Sequence, residues 1–187
     1  MIVTITGFPG SGKSTLGRGI AKELGLKHYS AGDLLRKIAE DRGITVLELQ
    51  ELMKKDESVD KELDKRNTEL GKKQDNFVID GRLAWLFIPN SIKIFVKIDL
   101  KKAAERVYRD SCQGREERRG ECENKSLEKT LENMRKRMEM NQERYRKLYS
   151  VNYLDEKNYD IVVDTSKASI PETRQKVLEE IRKIVAK

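Results

Sequence analysis

Histidine occurs once in these 187 residues, at position 28, and cysteine only twice. One imidazole leaves no material for a Ser/His/Asp or Cys/His nucleophile set, and His28 is expected to be a satisfied residue at a strand end. Cys112 and Cys122, with nine residues between them, sit in a polar, arginine-rich stretch without C-x-x-C pairs. That spacing does not suit a structural zinc site, so both are expected as free thiols. No apolar run approaches membrane-spanning length, and no basic segment followed by an apolar one opens the chain, so the expected location is cytoplasmic. A guanine-reading Asn-Lys-x-Asp motif is missing too: the nearest run, Asn124-Lys125-Ser126-Leu127, lacks the aspartate. There is no internal repeat, linker or low-complexity boundary, which leaves one domain over residues 1–187.

What is present is charge and one glycine-rich loop. Charged residues make up 38% of the chain and the net charge is +7, which favours anionic partners. Gly7-Phe8-Pro9-Gly10-Ser11-Gly12-Lys13-Ser14 spells G-x-x-x-x-G-K-S directly after the β-branched run Ile2–Thr6 and before a helical stretch. Backbone N–H groups must turn inward around phosphate oxygens there, and glycine makes that turn without a Cβ clash. Gly7, Gly10, Ser11, Gly12, Lys13, Ser14 and Thr15 are the expected donor-nucleotide set. Lys13 supplies a point charge for the β- and γ-phosphates, and the Ser14 hydroxyl a ligand for Mg²⁺. ATP and Mg²⁺ are thus the expected cofactors.

Strand and helix patterns alternate along the chain, as in a parallel α/β sheet with right-handed crossovers. Strands are expected at 2–6, 27–30, 77–79, 92–98 and 159–163. Helices are expected at 16–24, 33–41 and 59–70, from about 101, over 126–149 and from Pro171, with a further one capped by Thr45 and supported by Glu48. The helices between the second and third strands form an insertion over about 31–73. Residues 110–125 have the composition of a lid. The expected fold is therefore a three-layer α/β P-loop NTPase fold with a five-stranded parallel sheet.

Three clusters point to a second anion site in the same crevice. Ser30-Ala31-Gly32-Asp33 leads into a helix carrying Arg36, which can fork onto a phosphate. Val78-Ile79-Asp80-Gly81-Arg82 ends a buried strand, where Asp80 can serve Mg²⁺ and Arg82 can join Arg36 around one anion. Arg106, Arg109, Arg115, Arg118, Arg119, Arg137 and Arg144 form the third cluster. Converging guanidinium groups stabilise the charge that spreads over a phosphoryl group in transfer. Arg137 and Arg144, seven positions apart, lie near one helical face. Leu127, Leu131, Met134 and Met138 on the same helix make a core stripe.

In order and spacing these motifs resemble the nucleoside-monophosphate kinases over nearly the full length, most closely the archaeal-type cytidylate kinases. The similarity includes Tyr145-Arg146-Lys147-Leu148-Tyr149 leading toward Tyr159-Asp160. The resemblance implies transfer of the γ-phosphoryl of ATP to CMP or dCMP, with UMP a further candidate, by a monomer with no membrane or nucleic-acid partner. It implies that Ser30, Asp33, Arg36, Arg82, Arg137 and Arg144 attend the acceptor, that Lys13, Arg82, Arg137 and Arg144 are catalytic, and that Ser14 and Asp80 serve the metal. In bacterial cytidylate kinases an acidic residue after Asp-Gly-Arg helps read the base. Here Leu83-Ala84-Trp85 follows; Trp85 either stacks on the base or, the favoured reading, closes the apolar core beneath it. Two other readings use the same residues: an adenylate-kinase-like ATPase that assists RNA assembly through a basic lid, and a small-molecule hydroxyl kinase with Asp33 as base. The number of arginines favours a phosphate acceptor over both.

Overall fold

The computed structural model describes residues 1–44, 48–49, 52–53, 55–112 and 126–186. β1 (Ile2–Gly7) enters the glycine loop and α1 (Lys13–Leu24) leaves it. Then come β2 (Lys27–Ser30), α2 (Ala31–Asp41), α3 (Ser58–Lys73), β3 (Phe77–Asp80), a one-turn helix α4 (Ala84–Phe87) and β4 (Ile92–Lys97). α5 (Leu100–Cys112), α6 (Leu127–Tyr149), β5 (Ile161–Asp164) and α7 (Ile170–Val185) complete the order. The five strands are parallel in the order β2-β3-β1-β4-β5.

Both faces of the sheet are buried, as a parallel sheet requires. Val3, Ile5, Val78, Ile94 and Val96 pack against Leu16 and Ile20 of α1 and Val177, Leu178 and Ile181 of α7. Alternate residues serve the other face, where Phe77 and Ile79 meet Ala84 and Ile88, and Phe95 meets Trp85 and Tyr159. Each fully buried aliphatic or aromatic side chain contributes about 1.5–3 kcal/mol, so these two layers hold the strand ends in register. A smaller cluster, Ile38, Ala39, Leu49, Met53 and Val59, gives the segment between β2 and β3 a core of its own.

Local signals explain most element ends. Gly25 takes φ 65° after α1, where a left-handed residue stops a helix. Ser126 caps α6 through the Lys129 N–H, and Ser169 forms a reciprocal capping box with Glu172 at the start of α7. Some boundaries differ from expectation. α2 begins at Ala31, two residues early, because Ser30 caps it through the Gly32 N–H. β5 begins at Ile161 because Tyr159 closes a 3-10 turn over Glu156–Asn158 and donates its hydroxyl to the Tyr153 carbonyl at 2.6 Å. α5 continues through Cys112 into the expected lid. The rest of that segment, 113–125, lies outside the described residues, with Arg115, Arg118, Arg119 and Cys122; so does the Thr45 cap. Cys112 is a free, exposed thiol. Among the described residues no helix is long and apolar enough to cross a membrane.

Candidate active site

The strand ends place the site at the carboxyl edge of the sheet. β1 stops at Gly7, where a Cβ would lie 2.2 Å from the Val96 carbonyl oxygen, so the loop turns against β4 only because glycine stands there. Gly10 and Gly12 take φ 74° and 82°, a left-handed region that L side chains avoid. Gly12 is also the N-cap of α1, and no described side chain caps that end. The first N–H groups of α1 are therefore left facing the loop, at the positive end of the helix dipole, a ready anion site. Lys13 Nζ lies 3.4 Å from the Phe8 carbonyl oxygen, folded back over the loop. Behind the loop, Thr165 donates its hydroxyl to the Ser11 carbonyl at 3.0 Å, and Arg106 donates to the Thr165 carbonyl at 2.9 Å. Arg106, expected among the arginines around the phosphoryl group, instead braces the loop from the β5 side; Arg109 is exposed.

Asp80 is where the two halves of the crevice meet. It is 4% exposed, and its Oδ1 accepts from Ser14 of the loop at 3.0 Å and from Ser30 of β2 at 3.3 Å. Its Oδ2 lies 3.0 Å from Nε2 of His28. A Cβ on Gly17 would stand 3.0 Å from that same imidazole nitrogen, so the glycine inside α1 leaves room for His28 to reach the carboxylate. His28 is satisfied, as expected, and its partner is a residue assigned to the metal. A hydroxyl and a buried carboxylate 3.0 Å apart at a helix N-terminus are an oxygen donor set that suits Mg²⁺.

On the other side of Asp80, a Cβ on Gly81 would touch the Ala31 side chain at 3.0 Å, so the end of β3 and the start of α2 lie against each other. Arg36 is paired with Asp33 and largely exposed at the mouth. Arg82 follows Gly81, whose carbonyl accepts the Thr6 hydroxyl at 2.9 Å. Burial raises the pKa of the Tyr153 hydroxyl, the charges of Arg82 and Arg137 lower it and Tyr145 raises it, so both arginines lie within electrostatic reach of Tyr153. Arg144 faces α3: its Nη2 lies 3.4 Å from Asp60 Oδ1, and its guanidinium sits 5.2 Å from the centre of the Tyr145 ring. Trp85 is 8% exposed, packed with Phe95 and Tyr159, and its Nε1 donates to the Arg82 carbonyl at 3.1 Å. It is a core residue that fixes the backbone at Arg82.

Sequence reasoning passed over the acidic groups of α3. Asp60 is buried, and burial pushes its carboxyl up, offset by Arg144 and reinforced by Glu57. Asp64, one turn on, accepts a hydrogen bond from the Tyr149 hydroxyl. Its carboxyl is pushed up to about 6, first by burial and then by the charge of Asp60, against the Tyr149 bond and Arg144. The available signal was spacing: Asp60, Asp64 and Asn67 follow the i, i+4, i+7 rule and so share one face of the helix.

A parallel sheet of this order behind a glycine loop defines the P-loop kinase architecture. Solved structures with that fold include an uncharacterized protein from Eubacterium ventriosum, with TM-score 0.71 and 20% identity, covering 97% of this chain and 98% of that one. A shikimate kinase from Bacteroides thetaiotaomicron has TM-score 0.64 and 17% identity, with 97% and 98% covered. At these identities the likeness is one of fold alone.

Sequence comparison is narrower: residues 2–167 match the cytidylate kinase-like family, and the chain belongs to it. The cytidylate kinase of Methanothrix thermoacetophila is 35% identical over 167 residues, 89% of this chain and 90% of the relative. That of Natronomonas pharaonis is 33% identical over 171 residues, covering 90% and 83%. The chain is accordingly a phosphotransferase of the nucleoside-monophosphate kinase class.

Proposed function

We propose that this enzyme transfers the γ-phosphoryl of ATP to CMP or dCMP, giving ADP and the pyrimidine diphosphate. The observation that carries the reading is the single Asp80 oxygen shared by Ser14 and Ser30. It ties the loop that would hold the donor to the turn that opens the acceptor side, so two anion sites share one cleft. The relatives' name, cytidylate kinase, supports the choice of acceptor.

The chemistry asked of the protein is alignment and charge stabilisation. An oxygen of the acceptor phosphate forms the new bond to the γ-phosphorus while the bond to the bridging oxygen of ADP breaks. That attacking oxygen is already anionic, so no strong general base is needed. The glycine loop N–H groups and Lys13 hold the donor phosphates. Ser30, Asp33 and Arg36 meet the acceptor at the segment over about 31–73, and Arg82, Arg137 and Arg144 spread along the transferring group. Ser14 and Asp80 would hold Mg²⁺, which supplies charge neutralisation on the donor phosphates. The segment 110–125 is proposed as the lid that excludes water.

Coupled ADP release with ATP and Mg²⁺ against a panel of nucleoside monophosphates tests this. CMP and dCMP are expected to turn over fastest. Slow ATP hydrolysis of equal rate with and without every monophosphate would end the kinase reading.

A further inference from the structure

The ion pair between α3 and α6 is half made. Asp60 Oδ1 stands 3.4 Å from Arg144 Nη2, a long contact for charged partners. Two more atoms of the same pair, Asp60 Oδ2 and Arg144 Nε, are buried and have no hydrogen-bond partner among the described residues. A guanidinium grips a carboxylate side-on through two parallel N–H···O bonds, and Nε with one Nη is an edge that does so. The existing contact uses one half of that edge, and the orphaned nitrogen and oxygen are the other half. Shortening 3.4 Å to a charged hydrogen bond takes a shift of roughly half an ångström.

The seam is fastened one turn away. On α3, Asp64 accepts the Tyr149 hydroxyl, and Tyr149 in turn packs edge-on against Phe87 of α4 with ring centroids 5.6 Å apart. A fastened contact beside a slack one makes a pivot: a small rotation of α3 about Asp64 and Tyr149 takes up the slack at Asp60 and Arg144. Buried unsatisfied polar groups are uncommon in folded proteins, and two that complement each other across a gap mark a contact to be completed.

We propose that Asp60 is a positioning residue for Arg144. As it stands the clasp is half engaged; an inward shift of α3 on acceptor binding closes the side-on fork and presents the remaining guanidinium N–H groups to the acceptor phosphate. The proposal rests on the kinase reading above and adds to it a coupling between insertion closure and the alignment of one arginine. The second carboxylate of the seam, Asp64, serves as the hinge pin.

The test is a double-mutant cycle on the full chain, with Asp60→Asn, Arg144→Lys and the pair, assayed with ATP, Mg²⁺ and CMP. Asp60→Asn is expected to lower kcat by about 10- to 100-fold, the scale of a misplaced reacting group, while KM for ATP stays within about twofold. Arg144→Lys cannot make the fork, so the double variant should be no slower than Arg144→Lys alone. If Asp60→Asn fails to fold, Asp60→Glu replaces it, since it keeps the charge but displaces the carboxylate; it too should lose about tenfold in kcat, and not add to Arg144→Lys. A purely structural ion pair would lower the melting temperature and leave kcat alone. Unchanged kcat in the folded Asp60 variant, or losses that multiply in the double variant, overturns the clasp while wild-type turnover leaves the kinase reading standing. A wild-type protein inactive with every monophosphate removes both.

Discussion

On the donor side, the groups that would face phosphate come from consecutive residues, Gly7 to Ser14, and their conformation is set by three glycines and a helix start. On the proposed acceptor side the corresponding groups come from Ser30 through Arg144, carried by β2, α2, the end of β3 and α6. The cradle is held by backbone geometry, with Gly10 and Gly12 in the left-handed region and the start of α1 uncapped by any described side chain. Two of the arginines proposed to meet the acceptor lie instead against carboxylates of the protein itself: Arg36 against Asp33, Arg144 against Asp60. A rigid backbone site keeps its form whether or not anything is bound, whereas side chains that hold one another must exchange partners when an anion arrives. The donor side is preorganised by the backbone of one contiguous loop, and the proposed acceptor side by side-chain pairs, one local to α2 (Arg36 with Asp33) and one across the fold (Arg144 with Asp60).

Lys13→Ala tests the first half of that contrast. The change removes one charged donor aimed at the donor phosphates and leaves the loop backbone in place, so kcat should fall about 10²- to 10³-fold with the melting temperature little altered. A coupled ADP assay and a thermal scan measure the two. A variant that melts early would mean the cradle depends on the lysine and is less self-sufficient than its backbone suggests.

Arg36→Ala probes the other half. It should raise KM for CMP about 10- to 100-fold, as expected for losing a charged hydrogen bond, and leave KM for ATP within about twofold. Because Asp33 then loses its partner at an exposed site, stability should change little. Equal losses for donor and acceptor would erase the distinction between the two sides.

The same contrast explains what was legible in the sequence. β1, the loop and α1 were readable because strand pattern, glycines and the Gly25 stop are adjacent. The helix starts near Ser126 and Pro171 were readable for that reason too. β5 was placed two residues early because an aromatic residue reads as strand, while Tyr159 is used here as a buried plug beside Trp85 and Phe95. The one-turn helix Ala84–Phe87 is too short to show a period. Asp80 was legible as a strand-end carboxylate, but its bond to His28 depends on Gly17 leaving space on a facing helix, and nothing local announces that. Asp60 and Asp64 are hidden in another way: α3 carries many charged residues, and only packing against α6 distinguishes the buried Asp60 and the half-buried Asp64 from the solvated ones around them.

Those two carboxylates give the contrast a pH dependence. Asp64 has an ordinary carboxyl pKa of 3.8 when unfolded and about 6 when folded, raised by burial and by Asp60 and held back by the Tyr149 hydroxyl and Arg144. A folded state with the higher pKa binds the proton more tightly, so the stabilisation from this group is fully present below 3.8 and is lost as pH rises through about 6. Asp64→Asn stays neutral at every pH, and its amide oxygen still accepts the Tyr149 hydroxyl. The variant should therefore gain on the wild type as pH rises from 4 toward 7, roughly 2–4 °C in Tm for each kcal/mol removed, with the gap levelling off above the folded pKa. Thermal scans of both proteins across that range measure it. A gap that stays flat with pH would mean Asp64 is charged throughout, leaving Tyr149 and Arg144 dominant over burial at this seam.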